Sequence, residues 1–382
     1  MKRMGWFVGY VVVLLLVGAL LGLIPPAPCQ AGEPVVIGAA APLTGPRALL
    51  GRNMRQGITL ATEEINAAGS VLGRPFQVVF EDDMGDNPNA AINAVNRLIH
   101  VHKVPLMMGP HYSVTQMATQ KTYWEAKVVS ITGASGVPVT AQGNPYVFRV
   151  RASDILVSKA LVAYARDTLK ATRIAIQYIN DDFGKAGMER VVKSLEEFQM
   201  KPVAVESHNT GDKDFTAQLS KIGQAGAQVM ISWSHDTESA LVVRQAKQLN
   251  PTLKIIGTTS LSEPSFVRLA GEAAEGVISA NDFAPTVPLD RIQAFVPRYQ
   301  AKFNMLPEIW AAAYYDATHI AAKVIAAAGG TDPEKMRQAF FALRHSGLLA
   351  DFRFEPNGDG NHQIHILENT KEGPKWVTTV KF

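Results

Sequence analysis

Nine short apolar runs, most of them rich in β-branched residues, recur along the chain with amphipathic segments between them. "VVIGAAA", "FQVVFED", "VPLMMG" and "VVSIT" precede residue 150, and "RIAIQYI", "VAVESH", "AQVMISW", "KIIGTT" and "GVISAN" follow it. Runs this short, and apolar on both faces, suit strands covered by helices on each side. The intervening segments carry helical spacing. In Asn53 to Ala68, Met54, Ile58, Ala61 and Ile65 recur every three or four residues, and Gly69 stands where a helix-ending glycine belongs. Asp214 to Ala225 and Glu238 to Leu249 follow the same pattern. The rhythm predicts an α/β fold of parallel, doubly wound sheets, run through twice with a break at Asn144 to Asp154. The last third differs. Ile309 to Ala328 reads as an Ala-rich helix ended by Gly329, a second helix starts at Asp332 with Pro333 in its first turn, and strands joined by Gly- and Asn-containing turns follow.

At 382 residues the chain is long enough for two domains with large cores. A net charge of +3, spread without any Lys/Arg block, argues against nucleic acid as a partner. Residues 1–31 are different in kind. Lys2 and Arg3 are followed by an uncharged run from Trp6 to Ile24, then by prolines and a small-x-small site ending at Ala31. This is the pattern of a secretory signal peptide cleaved after Ala31. Two alternatives stay open: an uncleaved membrane anchor, and a lipoprotein carried on Cys29, although Pro28 fits lipid processing poorly. Cys29 is the only cysteine, so cleavage after Ala31 leaves a chain with no disulfide and no thiolate metal site.

The catalytic motifs each fail at a definite position. "MGPHYSVTQ", Met108 to Gln116, puts a serine at a strand-to-helix turn, but lacks the glycines of a nucleophile elbow. "GASGV" has Val137 at the second glycine, and "FGKAG" has Ala186 where a phosphate loop needs a hydroxyl residue. Ser113 and Gln116 have the spacing of a capping box. "EDDMGDN", Glu81 to Asn87, lacks calcium-loop spacing and reads as a strand end whose acids complement a helix N-terminus. The histidines are scattered, with His362 and His365 in a polar tail, and no cofactor or metal is expected.

The stretch "PLTG", "LATEEINAAG", "LGR", "EDDMGDNP", continued by "VFRVRASD", "YINDDFGKAG", "DFTAQLSKI" and "YYDATHIAAKVI", resembles the branched-chain amino acid-binding family of periplasmic solute receptors, over nearly the whole chain after residue 31. The resemblance implies the type I periplasmic-binding fold: two Rossmann-like lobes joined by three hinge crossovers, closing on a small-molecule ligand. The crossovers would fall at Tyr146 to Asp154, Gly276 to Phe283 and Leu349 to Gly358. Lobe one would be 32–149 plus 281–350, and lobe two 150–280 plus 351–382. It also implies a monomeric periplasmic receptor that serves an ABC-transporter permease in the inner membrane. The competing readings are a sensory receptor serving a signalling partner and, more remotely, a secreted hydrolase using Ser113.

Carried over position by position, the resemblance places a ligand carboxylate on Ser113 and on the loop of Ala134, Ser135 and Gly136. Helix N-termini offer free N–H groups and a positive dipole end, so that chemistry is reasonable in itself. In the second lobe Phe183 stands where the family often has Tyr, and His235 replaces another. Thr258 and Thr259 follow "IIG" where an acid would neutralise a ligand ammonium. Asp182, Asp236 or Glu263 would have to substitute, so the expected ligand is a small carboxylate or amide with an aromatic or branched apolar body, not a plain α-amino acid. A protonated His235 would meet a second anionic group on such a ligand. Leu50 and Tyr112 would shape the apolar wall, while Trp233 reads equally well as core.

Overall fold

The computed structural model describes residues 32–381, so the leader reading of residues 1–31, including Cys29, lies outside the described residues. Two α/β lobes are built on two sheets. The first sheet has the order β2-β1-β3-β4-β5, comprising Phe76–Asp82, Val35–Ala41, Leu106–Met108, Val129–Thr132 and Val147–Arg149, all parallel. The second has seven strands. β6 (Ile174–Ile179), β7 (Ala204–His208), β8 (Val229–Trp233), β9 (Lys254–Gly257) and β10 (Ile278–Asn281) are mutually parallel. β13 (Ile364–Thr370) and β14 (Gly373–Val380) then add an antiparallel edge beside β10. A short ladder, β11 (His345–Ser346) with β12 (Asp351–Phe352), stands apart from both.

Helices cover both faces of each sheet, which is why the strands are apolar on both sides. On the first lobe, α1 (Ala48–Ala67) packs against α11 (Ile309–Ala328), which is buried along most of its length. Opposite them lie α2 (Pro88–Asn96) and α3 (Ser113–Ala126), with Val95, Leu98, Tyr123 and Val128 in one cluster. The second lobe carries two further cores, one on each face of its sheet, containing Trp233 and Ile176 on one side and Phe215 and Phe266 on the other. Among the described residues no helix is long and apolar enough to cross a membrane.

Element bounds depart from expectation where a residue is spent on a turn. α1 starts at Ala48, five residues before Asn53, because its first turn borders the cleft and carries no core stripe. α7 (Thr216–Gln224) starts late, since Asp214 accepts hydrogen bonds from the Thr216 amide and hydroxyl. α8 (Asp236–Leu249) starts two residues early. In "EDDMGDN" the acids do not enter a helix. Asp82 instead accepts from the amides of Leu43 and Met84, and Asn87 caps α2 through Ala90 N–H. Asp332 caps α12 (Pro333–Ala342), with Pro333 in the first turn as the sequence suggests.

Charged pairs hold the segments near residues 149–152, 282 and 359 together. Arg149 is 1% exposed and reaches Asp359, while its backbone N–H and C=O pair with Gly358 and Gly360. Arg151 binds Asp282 through Nε and Nη2, and Ala152 N–H adds a further bond to the same carboxylate. His362, placed by the sequence in a polar tail, instead has its side chain fully buried 3.8 Å from Asp282, and His365 is buried on β13. Phe352 and Phe354 stack in the first core beside Phe148, whose ring lies 3.8 Å from that of Phe340 at 8°. Aromatic pairs of this kind contribute ~0.5–1.5 kcal/mol beyond their burial.

Candidate functional site

Parallel strands deliver their following helices to one end of each sheet, so the crevice forms at the strand C-termini. On the first lobe that edge holds the loops after β3 and β4. Ser113 is the first helical residue of α3, and its Oγ accepts a hydrogen bond of 3.1 Å from Gly136 N–H. The capping box does not form. Tyr112 occupies the N-cap without a side-chain bond, and Gln116 turns inward to donate to Ser130 Oγ at 3.2 Å. Ser113 is thus turned toward the neighbouring loop, and the two predicted loops meet. A Cβ on Gly136 would lie 2.8 Å from Ser113 Oγ, so only glycine allows this approach.

Arg149 organises that loop from below. Its Nη1 donates to the carbonyls of Ser135 at 2.7 Å and Gly136 at 2.9 Å, while its other nitrogens hold Asp359 and Thr140. Ala134 is buried, its N–H bonded to Thr132 Oγ1. Ser135 remains partly exposed.

On the second lobe, Phe183 sits in the first turn of α6 (Asp182–Glu197), which packs against α3 across the cleft. Its ring stacks on His235 with centroids 5.0 Å apart at 17°. His235 Nε2 is 3.0 Å from Asp181 Oδ2, and the other oxygen of Asp181 caps α6 through Gly184 N–H. The imidazole therefore already has its anionic partner within the protein and orients Phe183. Burial acts to raise the Asp181 carboxyl, but His235 and the cap N–H groups hold it below the usual range. Trp233 is core: it is fully buried, and a Cβ on Gly187 would come within 2.0 Å of its Nε1. Thr259, expected to face ligand, accepts from Arg151 Nη2 at 3.1 Å.

Several residues that line the cleft, among them Arg47, His111, Trp310 and Tyr314, were not singled out in the sequence, whereas Asp236 and Glu263 were. Arg47 lies over the Tyr112 ring, 5.5 Å from its centroid, and its Nη1 reaches Asp236 Oδ1 in the other lobe at 2.7 Å. Asp236 is burdened by burial, yet Arg47 and Ser265 keep its carboxyl below the usual range. Glu263 shares a cavity of about 80 Å³ with Arg47, Leu50 and Asp236. Burial first, and Asp236 second, push its carboxyl up to about 8. Asp182 is exposed. Deeper in the first lobe, Leu50, Met54, His111, Tyr112, Trp310 and Tyr314 line a second, more apolar recess. His111 is pushed well below its ordinary range by burial and by Arg151. Neutral, it faces the Tyr314 hydroxyl at 3.2 Å and the Trp310 ring edge-on at 3.7 Å. Arg47 and Arg151 had no local signal, being single basic residues in turns. Trp310 and Tyr314 were hidden inside a helix that reads as core.

Two Rossmann-like lobes whose helix N-termini converge on a polar and aromatic cleft define a solute-binding receptor. Residues 34–374 match the model of the periplasmic binding protein family, and the chain belongs to that family. It is 28% identical over 353 residues to a leucine-, isoleucine-, valine-, threonine- and alanine-binding protein of Pseudomonas aeruginosa, an alignment spanning 91% of this chain and 92% of the relative. Among solved structures, a leucine-binding protein of Thermotoga maritima superposes with a TM-score of 0.83 at 27% identity, covering 91% of this chain and 99% of the other. A branched-chain amino acid substrate-binding protein of Streptococcus pneumoniae shares the fold, with a TM-score of 0.82 at 24% identity over 90% and 99% of the two chains.

Proposed function

We propose that this chain is a non-catalytic, monomeric receptor of the periplasm that closes on a small carboxylate-bearing solute and presents it to an ABC-transporter permease. The observation that carries the reading is the meeting of Ser113 with the Gly136 loop, opposite Phe183 and His235 on the facing lobe. Closure about the crossings would commit the solute between these walls. The lobe bounds we adopt are 32–149 with 281–350, and 150–280 with 351–382. The separate cores support them, except that Val150, Phe352, Phe354 and Leu367 pack with the first.

The charges favour a solute without an ammonium group. Asp236 is held by Arg47, Asp282 by Arg151 and Asp181 by His235, while Glu263 keeps its proton near neutrality. An ammonium buried beside committed carboxylates is costly. One observation favours a second reading, an α-amino acid like those named for the relatives: Glu263 lines the cavity and has no salt-bridge partner among the described residues.

A thermal-shift screen over carboxylates, amides and amino acids tests the function. A ligand at about a hundred times its dissociation constant adds ~2.7 kcal/mol of stability. A selective response to one class supports the receptor. Flat responses throughout, or ester hydrolysis abolished by Ser113→Ala, would sink it.

A further inference from the structure

Arg151 occupies an unusual position for a buried hinge residue. Its Nε and Nη2 are held by Asp282 at 2.7–3.2 Å, and Nη2 also reaches Thr259 Oγ1 at 3.1 Å. Nη1 has no hydrogen-bond partner among the described residues, and it is not sealed from solvent as the buried orphan atoms are. The guanidinium is also fixed from below, 4.9 Å above the Trp310 ring. A planar fork held on two sides with one nitrogen left over is pre-organised to receive an oxyanion. Asp282 itself offers nothing to a cation, since Arg151 and Ala152 N–H occupy both of its oxygens. The Arg151–Asp282 pair carries no net charge, so Nη1 adds a charge-assisted hydrogen bond to the attraction that the N-termini of α3 and α6 exert on an anion.

The same guanidinium stands beside a wall of ring edges and faces. His111 meets Trp310 at 88° and Tyr112 at 89°, and Tyr314 closes the recess behind them. On the other lobe Phe183 presents a ring already braced by His235. Ring edges carry positive charge and faces negative, so such walls reward a flat ring over a branched aliphatic group of equal volume.

We propose that Arg151 Nη1 donates to the ligand carboxylate, and that Trp310 with Tyr112 and His111 selects an aromatic monocarboxylate. The proposal rests on the receptor reading above and narrows its substrate class. Arg151 binds the carboxylate from the hinge, so ligand binding and lobe closure act on one residue.

Isothermal titration of the purified protein with benzoate, 3-phenylpropanoate, 4-methylpentanoate, 3-phenylpropanamide, phenylalanine and leucine tests it. One aromatic acid should bind at least about tenfold more tightly than 4-methylpentanoate and leucine. Trp310→Leu should erase that preference. Arg151→Met is paired with Asp282→Asn, so that no buried charge is left alone, and folding is followed by circular dichroism. The pair should weaken aromatic acids about a hundredfold and leave the amide unchanged. Equal binding of aromatic and aliphatic acids, a preference for leucine, or carboxylate affinity untouched by the Arg151 variant overturns the proposal. The wild-type preference and Trp310→Leu decide it even if the double variant fails to fold. Leucine bound and then weakened by Ser113→Ala would leave the receptor standing without this inference, whereas silence across the whole panel would remove both.

Discussion

Arg47 in the loop after β1 reaches across the cleft to Asp236 at the start of α8, with 2.7 Å between Nη1 and Oδ1 and side chains only 16% and 10% exposed. The pair exists only while the lobes are together, so it biases the equilibrium toward the closed form. Arg47→Ala should shift the population toward open molecules and weaken ligand binding by about 5- to 150-fold, the range of ~1–3 kcal/mol couplings. Small-angle scattering on the ligand-free variant should show a larger radius of gyration than the parent. An unchanged radius with unchanged affinity would mean that the pair does not hold the cleft.

Glu263 makes the site pH-dependent. Burial, then the charge of Asp236, push its carboxyl up to about 8 against the pull of Arg47. A carboxyl raised on folding keeps a proton that the unfolded chain has released, so this group subtracts stability as pH climbs from the ordinary carboxylate range to about 8. Glu263→Gln should match the parent near about pH 4 and exceed it in urea midpoint near about pH 8.5. A carboxylate ligand should bind the parent less tightly as pH rises through that window, with a flat profile in the variant. An ammonium-bearing ligand should show the opposite slope, which separates the two ligand readings.

These residues explain what the sequence made legible. Short β-branched runs and three-to-four spacing mark the strands and helices because those patterns are local, and α11 lies at Ile309–Ala328 as read. Ser113 and Gly136 were found because each sits at a strand-to-helix turn with its own composition. Arg47, Arg151 and Trp310 were not, because their roles come from convergence over more than a hundred residues, as in the 131-residue separation of Arg151 and Asp282. The capping box failed for a similar reason: Ser130, fourteen residues away, gives Gln116 a buried partner that spacing cannot reveal.

Arg149 ties the Ser135–Gly136 loop to the segment of Asp359, donating to the carbonyls of Ser135 and Gly136 as well as to the Asp359 carboxylate. Arg149→Met leaves those acceptors without their donor in a site where the arginine is 1% exposed. Removing one partner of a buried pair costs about 3–5 kcal/mol, and the partial exposure of Asp359 points to the lower end. Chemical unfolding should show that loss. Asp359→Asn keeps an oxygen acceptor but removes the guanidinium's counter-charge, and should cost less than Arg149→Met because the Ser135 and Gly136 carbonyls keep their donor. Equal losses in the two variants would place the energy in the Arg149–Asp359 pair alone and not in the loop.

The close approach of Gly136 to Ser113 separates packing from binding. In Gly136→Ala the new Cβ would sit 2.8 Å from Ser113 Oγ and 3.0 Å from its Cβ, so the loop must move. The stability cost should be about 1–3 kcal/mol, as for other overpacked sites. Adding Ser113→Ala removes the obstructing hydroxyl, so the double variant should recover much of that stability in thermal unfolding. Ligand affinity should not recover with it, because the proposed contact of the Ser113 hydroxyl with the solute is lost. Recovery of both together would show that Ser113 only shapes the loop, and that the solute carboxylate is held elsewhere in the cleft.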